Sequence, residues 1–185
     1  MARSTPSARD DATAAPQVLV PPSRAPLEAV VPLVPGRIAD HTSCLILKVG
    51  QVVFRLMEDR LSELGLRIRH YSLLATLAER GPMSQGQLGA YLRIDGATMV
   101  ATIDDLEALG LVERRRAQRD RRQSVVSITA DGEAMLGRVE ELMRSLDDEY
   151  LQEVTSNQRS QLHRLMEKLS QGKVLATAFD TLRGR

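Results

Sequence analysis

Ten consecutive residues carry the strongest chemical signal in this sequence. Glu113-Arg114-Arg115-Arg116-Ala117-Gln118-Arg119-Asp120-Arg121-Arg122 holds six arginines and two acids, a local charge of +4. Guanidinium groups pair bidentately with phosphate oxygens and enter narrow minor grooves. A cluster of one sign repels itself unless a polyanion neutralises it. Arg115, Arg116, Arg119, Arg121 and Arg122 are therefore candidate contacts to nucleic acid, with a solvated charged turn as the plain alternative. Asp120 is expected to hydrogen-bond a neighbouring arginine and hold the loop in shape.

Other reactive side chains are sparse. The single cysteine, Cys44, cannot form an intramolecular disulfide. Buried, it would act as a small inert hydrophobe; as a thiolate, it would sense oxidants. His41 lies one helical turn before it, but a zinc site needs three or four ligands. His70 and His163 stand at no recognisable ligand spacing. There is no glycine-rich phosphate loop, nucleophile elbow or plausible metal-ligand set, so the sequence gives no reason to expect an enzyme or a bound cofactor.

The elements around the arginine run suggest what it serves. Ser84-Gln85-Gly86-Gln87 is a capping-box signature opening a short helix with Leu88 and Leu92. Asp95 is an N-cap for a second helix, to about residue 109, with an inward face of Met99, Thr102, Ile103, Leu106 and Leu109. The tight turn between them is Arg93-Ile94-Asp95-Gly96. Leu111–Arg115 and Ser124–Ile128 read as strands, on the β-formers Val112, Val125, Val126 and Ile128. Two short helices, a tight turn and a basic hairpin make a winged helix-turn-helix. In that arrangement the second helix enters the major groove and the hairpin flanks the duplex.

Apolar spacing defines the flanking elements. Leu45, Val49, Val52 and Leu56 form one stripe from about Asp40. Ile46, Val53, Met57, Leu61 and Leu64 form another beside it, wider together than a surface helix needs. Gly65 is a C-cap. Tyr71–Arg80 is helical and stops at Gly81-Pro82. Thr129 caps a long helix with Met135, Val139, Leu142, Leu146 and Tyr150. Met135 and Met143 suit a core or a plastic pocket wall. A last helix starts at Asn157 or Ser160, and residues after Gly172 give weak signals. The fold class expected is mainly α (α+β). The divisions are a Pro-rich arm (1–37), a first dimerisation helix (38–66), the winged helix-turn-helix (67–129), C-terminal dimerisation helices (130–172) and a tail (173–185). Seven of eight prolines lie in the arm, which is expected to be extended or disordered.

Composition narrows the partner. The 185 residues are 43% hydrophobic and carry a net charge of only +1. That average hides blocks of opposite sign. Residues 67–129 hold ten basic and seven acidic side chains, whereas 130–153 hold two and eight. The acidic block repels DNA from the wrong face. Aromatic residues are 3% of the chain, too few for a stacking platform, which favours duplex over single strands. No apolar run suits a membrane span or signal peptide, so a cytoplasmic location without a membrane partner is expected.

Residues about 67–137 resemble the MarR family of winged helix-turn-helix regulators. The resemblance rests on Ser84-Gln85-Gly86-Gln87-Leu88, Leu106 to Arg114, Asp120-Arg121-Arg122 and Ile128-Thr129-Ala130-Asp131-Gly132, and the flanking helices extend it to about 40–172. It implies a homodimer on a pseudo-palindromic operator, usually a repressor released by a small molecule or by oxidation. It implies that Arg122 enters the minor groove with Asp120 as its positioning partner. It also implies that Ser84 and Gln85 begin a phosphate-contacting helix, with Gln87 and Arg93 nearby, and that Thr98 lies on the reading face. Val100 and Ala101 complete that face, where family members often carry Arg near position 101. No Arg, Lys, Asn or Gln occurs on 95–110, so bidentate readout of G or A is missing there. A pocket for a phenolic effector, with His70, Tyr71 and Met57 as candidate lining, follows by analogy. An oxidant- or metal-responsive regulator using Cys44 and His41, and a protein-interaction winged helix, are the alternatives.

Overall fold

The computed structural model describes residues 31–116 and 124–183. Most of the Pro-rich arm and the loop residues Arg119, Asp120, Arg121 and Arg122 lie outside them. The chain divides into two units, Met1–Leu45 and Ile46–Arg185. In the first, a 3-10 turn over Gly36–Asp40 leads to α1 (Thr42–Ser62). The second contains the remainder of α1, then α2 (Ile68–Arg80), β1 (Met83–Ser84), α3 (Gln85–Leu92) and α4 (Gly96–Ala108). After these come β2 (Val112–Arg116), β3 (Ser124–Ile128), α5 (Ala130–Tyr150), α6 (Ser156–Ser170) and α7 (Lys173–Arg183). The fold is mainly helical with a three-stranded antiparallel sheet in the order β1-β3-β2. Val112 lies opposite Ile128, Arg116 opposite Ser124, and Met83 opposite Val126.

Aliphatic side chains build the core. Leu73, Leu74 and Leu77 of α2 meet Leu88 of α3 and Met99, Ile103 and Leu106 of α4. Val112, Val126, Leu136 and Val139 close it from the strands and α5. Met135 and Met143 pack half-buried against this cluster, as core side chains do. Leu109 is a correction: expected on the inward face, it is 50% exposed. It keeps the 3–4 spacing from Leu106, but it is the C-cap of α4 and Gly110 turns the chain immediately after it, so no further helical turn covers it.

Local signals account for most element ends. Ser84 accepts a bond from the Gln87 amide and Gln87 Oε1 accepts one from the Ser84 amide, closing the capping box. Asp95 caps α4 through the Thr98 amide at 2.8 Å. Gly65 sits at φ 72°, where a side chain would be strained. The start of α6 differs from expectation. Thr155 caps it by accepting from the Gln158 amide, a Thr-x-x-Gln box one to four residues earlier than Asn157 or Ser160 suggests. The segment after Gly172 is a further correction, because it is helix α7 rather than a tail.

Apolar side chains remain uncovered on three helices. Ile46, Leu47, Val49 and Phe54 of α1, four of α6 (Leu162, Leu165, Met166, Leu169) and four of α7 (Val174, Leu175, Phe179, Leu182) are each at least 44% exposed. α6 buries no residue. Unlike them, α5 is anchored tightly at its start. The Thr129 hydroxyl donates to the Gly110 carbonyl at 2.7 Å and accepts from the Gly132 amide. The Thr129 amide donates to the Leu111 carbonyl at 3.1 Å. A Cβ on Gly132 would stand 2.1 Å from that same carbonyl oxygen and 2.7 Å from Ile128 Cγ1. We therefore expect Gly132→Ala to lower unfolding stability by about 3 kcal/mol, since backbone rather than a flexible side chain must move. Urea denaturation of wild type and variant measures this; a loss below about 0.5 kcal/mol would contradict the contact.

Candidate nucleic-acid interface

The exposed surface of the helix-turn-helix is set by how its turn closes. Arg93 ends α3 in the left-handed conformation, at φ 54° and ψ 40°. Among the described residues no other non-glycine has positive φ. The Ile94 amide returns to the Gly89 carbonyl at 3.0 Å. A Cβ at Gly89 would approach the Ile94 carbonyl oxygen to 3.2 Å, so a small residue suits the crossing. The turn places Met99, Thr102, Ile103 and Leu106 inward and leaves Ala97, Thr98, Val100 and Ala101 exposed. Gln85 and Gln87 are exposed on α3, and Ser84 is half-buried at its cap. Thr98 donates its hydroxyl proton to Asp95 Oδ2 at 2.7 Å, so its oxygen faces outward as an acceptor.

Acidic side chains of α4 are tied by internal cations. Asp104 and Glu107 both bind Arg114 of β2, and the Arg114 amide donates to Glu107. Arg114 thus pins the first wing strand to the recognition helix. These carboxylates stabilise its charged form and push its pKa further up. Glu113 pairs with Arg115, while Arg116 is exposed with no ion pair among the described residues. The sequence signal for Arg114 was its place in the arginine run, which does not separate a structural arginine from a DNA-facing one.

A second polar link was not legible at all. His70 is 4% exposed on α2. The Arg67 amide donates to its Nδ1 at 3.2 Å, and Nε2 lies 3.3 Å from Asp105 Oδ2 on α4. An accepting Nδ1 fixes the neutral tautomer, with the proton on Nε2 donated to Asp105. Burial chiefly lowers the His70 pKa, and the Arg69 charge lowers it further against the opposing pull of Asp105. Arg69 also reaches Asp105 at 3.2 Å and, with the His70 bond, holds that carboxyl below its usual range. Beside this link runs a cleft lined by Phe54, Glu58, Arg67, Ile68, Arg69, Ser72 and Ile94. The candidates His70, Tyr71 and Met57 are not among its lining residues. Arg69 Nε is buried there without a hydrogen-bond partner among the described residues.

Known proteins agree with this geometry. A sequence profile of the MarR family matches residues 64–123. The HTH-type transcriptional repressor Rv2887 of Mycobacterium tuberculosis is 28% identical over 125 residues, covering 68% of this chain and 90% of that protein. Apo MarR from E. coli superposes with a TM-score of 0.62 at 25% identity, over 70% of this chain and 96% of that one.

Over its winged helix-turn-helix the chain is similar to the MarR family.

Those likenesses are to HTH-type transcriptional regulators. A MarR mutant from E. coli complexed with operator DNA also matches, with a TM-score of 0.59 at 25% identity over 69% of this chain and 91% of that one. The mainly helical fold with a small three-stranded antiparallel sheet is the one these solved structures share. No helix among the described residues is long and apolar enough to cross a membrane. Among them, too, no group of three or more His, Cys, Asp and Glu could hold a metal. Cys44 is half-buried.

The His70 link makes folding pH-dependent. A histidine whose folded pKa lies below its unfolded value binds fewer protons folded, so stability falls as pH drops from about 6.5 towards the folded pKa. His70→Gln keeps a donor and an acceptor but cannot titrate. Urea midpoints between about pH 7 and 5 should fall less steeply for the variant than for the wild type. Parallel curves would sink the assignment.

Proposed function

We propose that this chain is a transcriptional regulator that binds duplex DNA as a homodimer on a pseudo-palindromic operator, and that it represses until a small effector releases it. The observation that carries this reading is the exposed face Ala97, Thr98, Val100 and Ala101 beside the basic strand with Arg115 and Arg116. The uncovered apolar faces of α1 and α6 give a second copy its contact surface. A two-fold pair would set its recognition helices about 34–36 Å apart, one turn of B-DNA. The relative in Mycobacterium tuberculosis carries the name of a repressor, which supports that sign of regulation.

The reading face has methyl groups and one hydroxyl oxygen but no long amide or guanidinium. It suits thymine methyls better than purine edges. Affinity then depends on phosphates and on groove shape. Ser84, Gln85, Gln87 and Arg93 contact the backbone. Arg119, Arg121 and Arg122 follow the minor groove, with Asp120 orienting Arg122. The effector is anionic or phenolic and enters the cleft at Arg67 and Arg69, where the unpartnered Nε offers a donor.

Gel shifts on the DNA upstream of the protein's own gene test the reading. Six or more phosphate contacts give a log K against log salt slope of about −5 or steeper. Arg122→Ala should weaken binding about tenfold, roughly 1.4 kcal/mol. A slope near −1, or equal weak binding by both proteins at low salt, would defeat it.

A further inference from the structure

α7 lies against the start of the recognition helix. Asp180 Oδ1 stands 3.3 Å from Arg93 Nε. The Arg93 guanidinium carbon is 5.9 Å from the Phe179 ring centroid. Phe179 and Leu182 line a shallow cleft together with Arg93, Ile94, Asp95 and Thr98. Three of those four turn and helix residues bear polar or charged side chains, and Thr98 belongs to the exposed reading face. Asp180 is the sole acid in α7, and it meets the arginine of the helix-turn-helix turn.

We propose that α7 is a displaceable latch that competes with DNA for the surface from Arg93 to Thr98. This rests on the reading that the start of α4 meets DNA. The Asp180 carboxylate occupies Arg93 as a DNA phosphate would, and Phe179 and Leu182 stand where the duplex would approach Thr98. The latch is weak by construction. Both members of the ion pair are largely solvated, at 44% and 62% side-chain exposure, and exposed pairs contribute little. The ring contact lies at the outer limit of a cation–π interaction. A closed state of that strength reduces apparent affinity through the fraction of open molecules, by about three- to tenfold.

The test is fluorescence anisotropy with a random-sequence 40-base-pair duplex at low salt. Wild type is compared with Phe179→Ala and with the chain ending at Gly172. Phe179→Ala changes no charge, so tighter binding by it cannot come from removing an acid near DNA. Sedimentation follows the oligomeric state of each protein. The latch predicts that both variants bind three- to tenfold tighter in the wild-type oligomeric state. If wild type binds and neither variant binds tighter, the latch is wrong and the interface reading stands. Tighter binding that comes only with a changed oligomeric state also overturns it, because α7 then acts through the subunit contact. If none of the three binds the duplex, both readings fall.

Discussion

The winged unit depends on one backbone crossing, where the end of the recognition helix, the start of the wing and the start of the long helix meet. Gly110 turns the chain at φ 72°. The Leu111 amide returns to the Leu106 carbonyl at 2.9 Å and so closes the helix. Thr129 then binds both Gly110 and Leu111 while capping α5. Gly132 lets the first turn of that helix lie on the Leu111 carbonyl. Three elements are therefore fixed to each other through backbone groups and one hydroxyl. The hydrophobic core behind them fills the space this crossing defines.

Charge is arranged around the same unit in an instructive way. A recognition helix with Asp95, Asp104, Asp105 and Glu107 looks unsuited to a polyanion. Each of these acids has an internal task. Asp95 caps the helix, Asp104 and Glu107 hold Arg114, and Asp105 holds Arg69 and His70. The carboxylates are compensated within the fold, Arg115 is paired with Glu113, and among the described residues of the strand Arg116 is left for other contacts. Surface pairs of this kind add little stability. Their effect here is to set which charges a partner meets.

Much of the fold was legible because its signals are local. Ser84, Asp95 and Thr129 announced their helices as caps, and Gly65 and Gly81 announced turns. The strands followed from β-branched residues around a polar loop, and the core leucines from 3–4 spacing. What escaped depends on distance. β1 has two residues and exists only because β3 pairs with it. The His70–Asp105 bond joins positions 35 apart, and nothing near either residue signals it. α7 has Leu175, Phe179 and Leu182 on one stripe, but Gly172 just before it reads as an ending. The cleft at Phe54, Glu58 and Arg67 is formed by side chains from separate elements, so no local spacing announces it.

The crossing at Gly110, Leu111, Thr129 and Gly132 contains no titratable side chain and no long flexible one. Neither acid nor salt within the ordinary range alters its bonds. The His70 link answers to pH, and contacts to phosphates would answer to ionic strength. Reader helix, first wing strand and long helix therefore move as a single lever, with no joint where they meet. A signal can swing that lever, but it cannot bend it at this point.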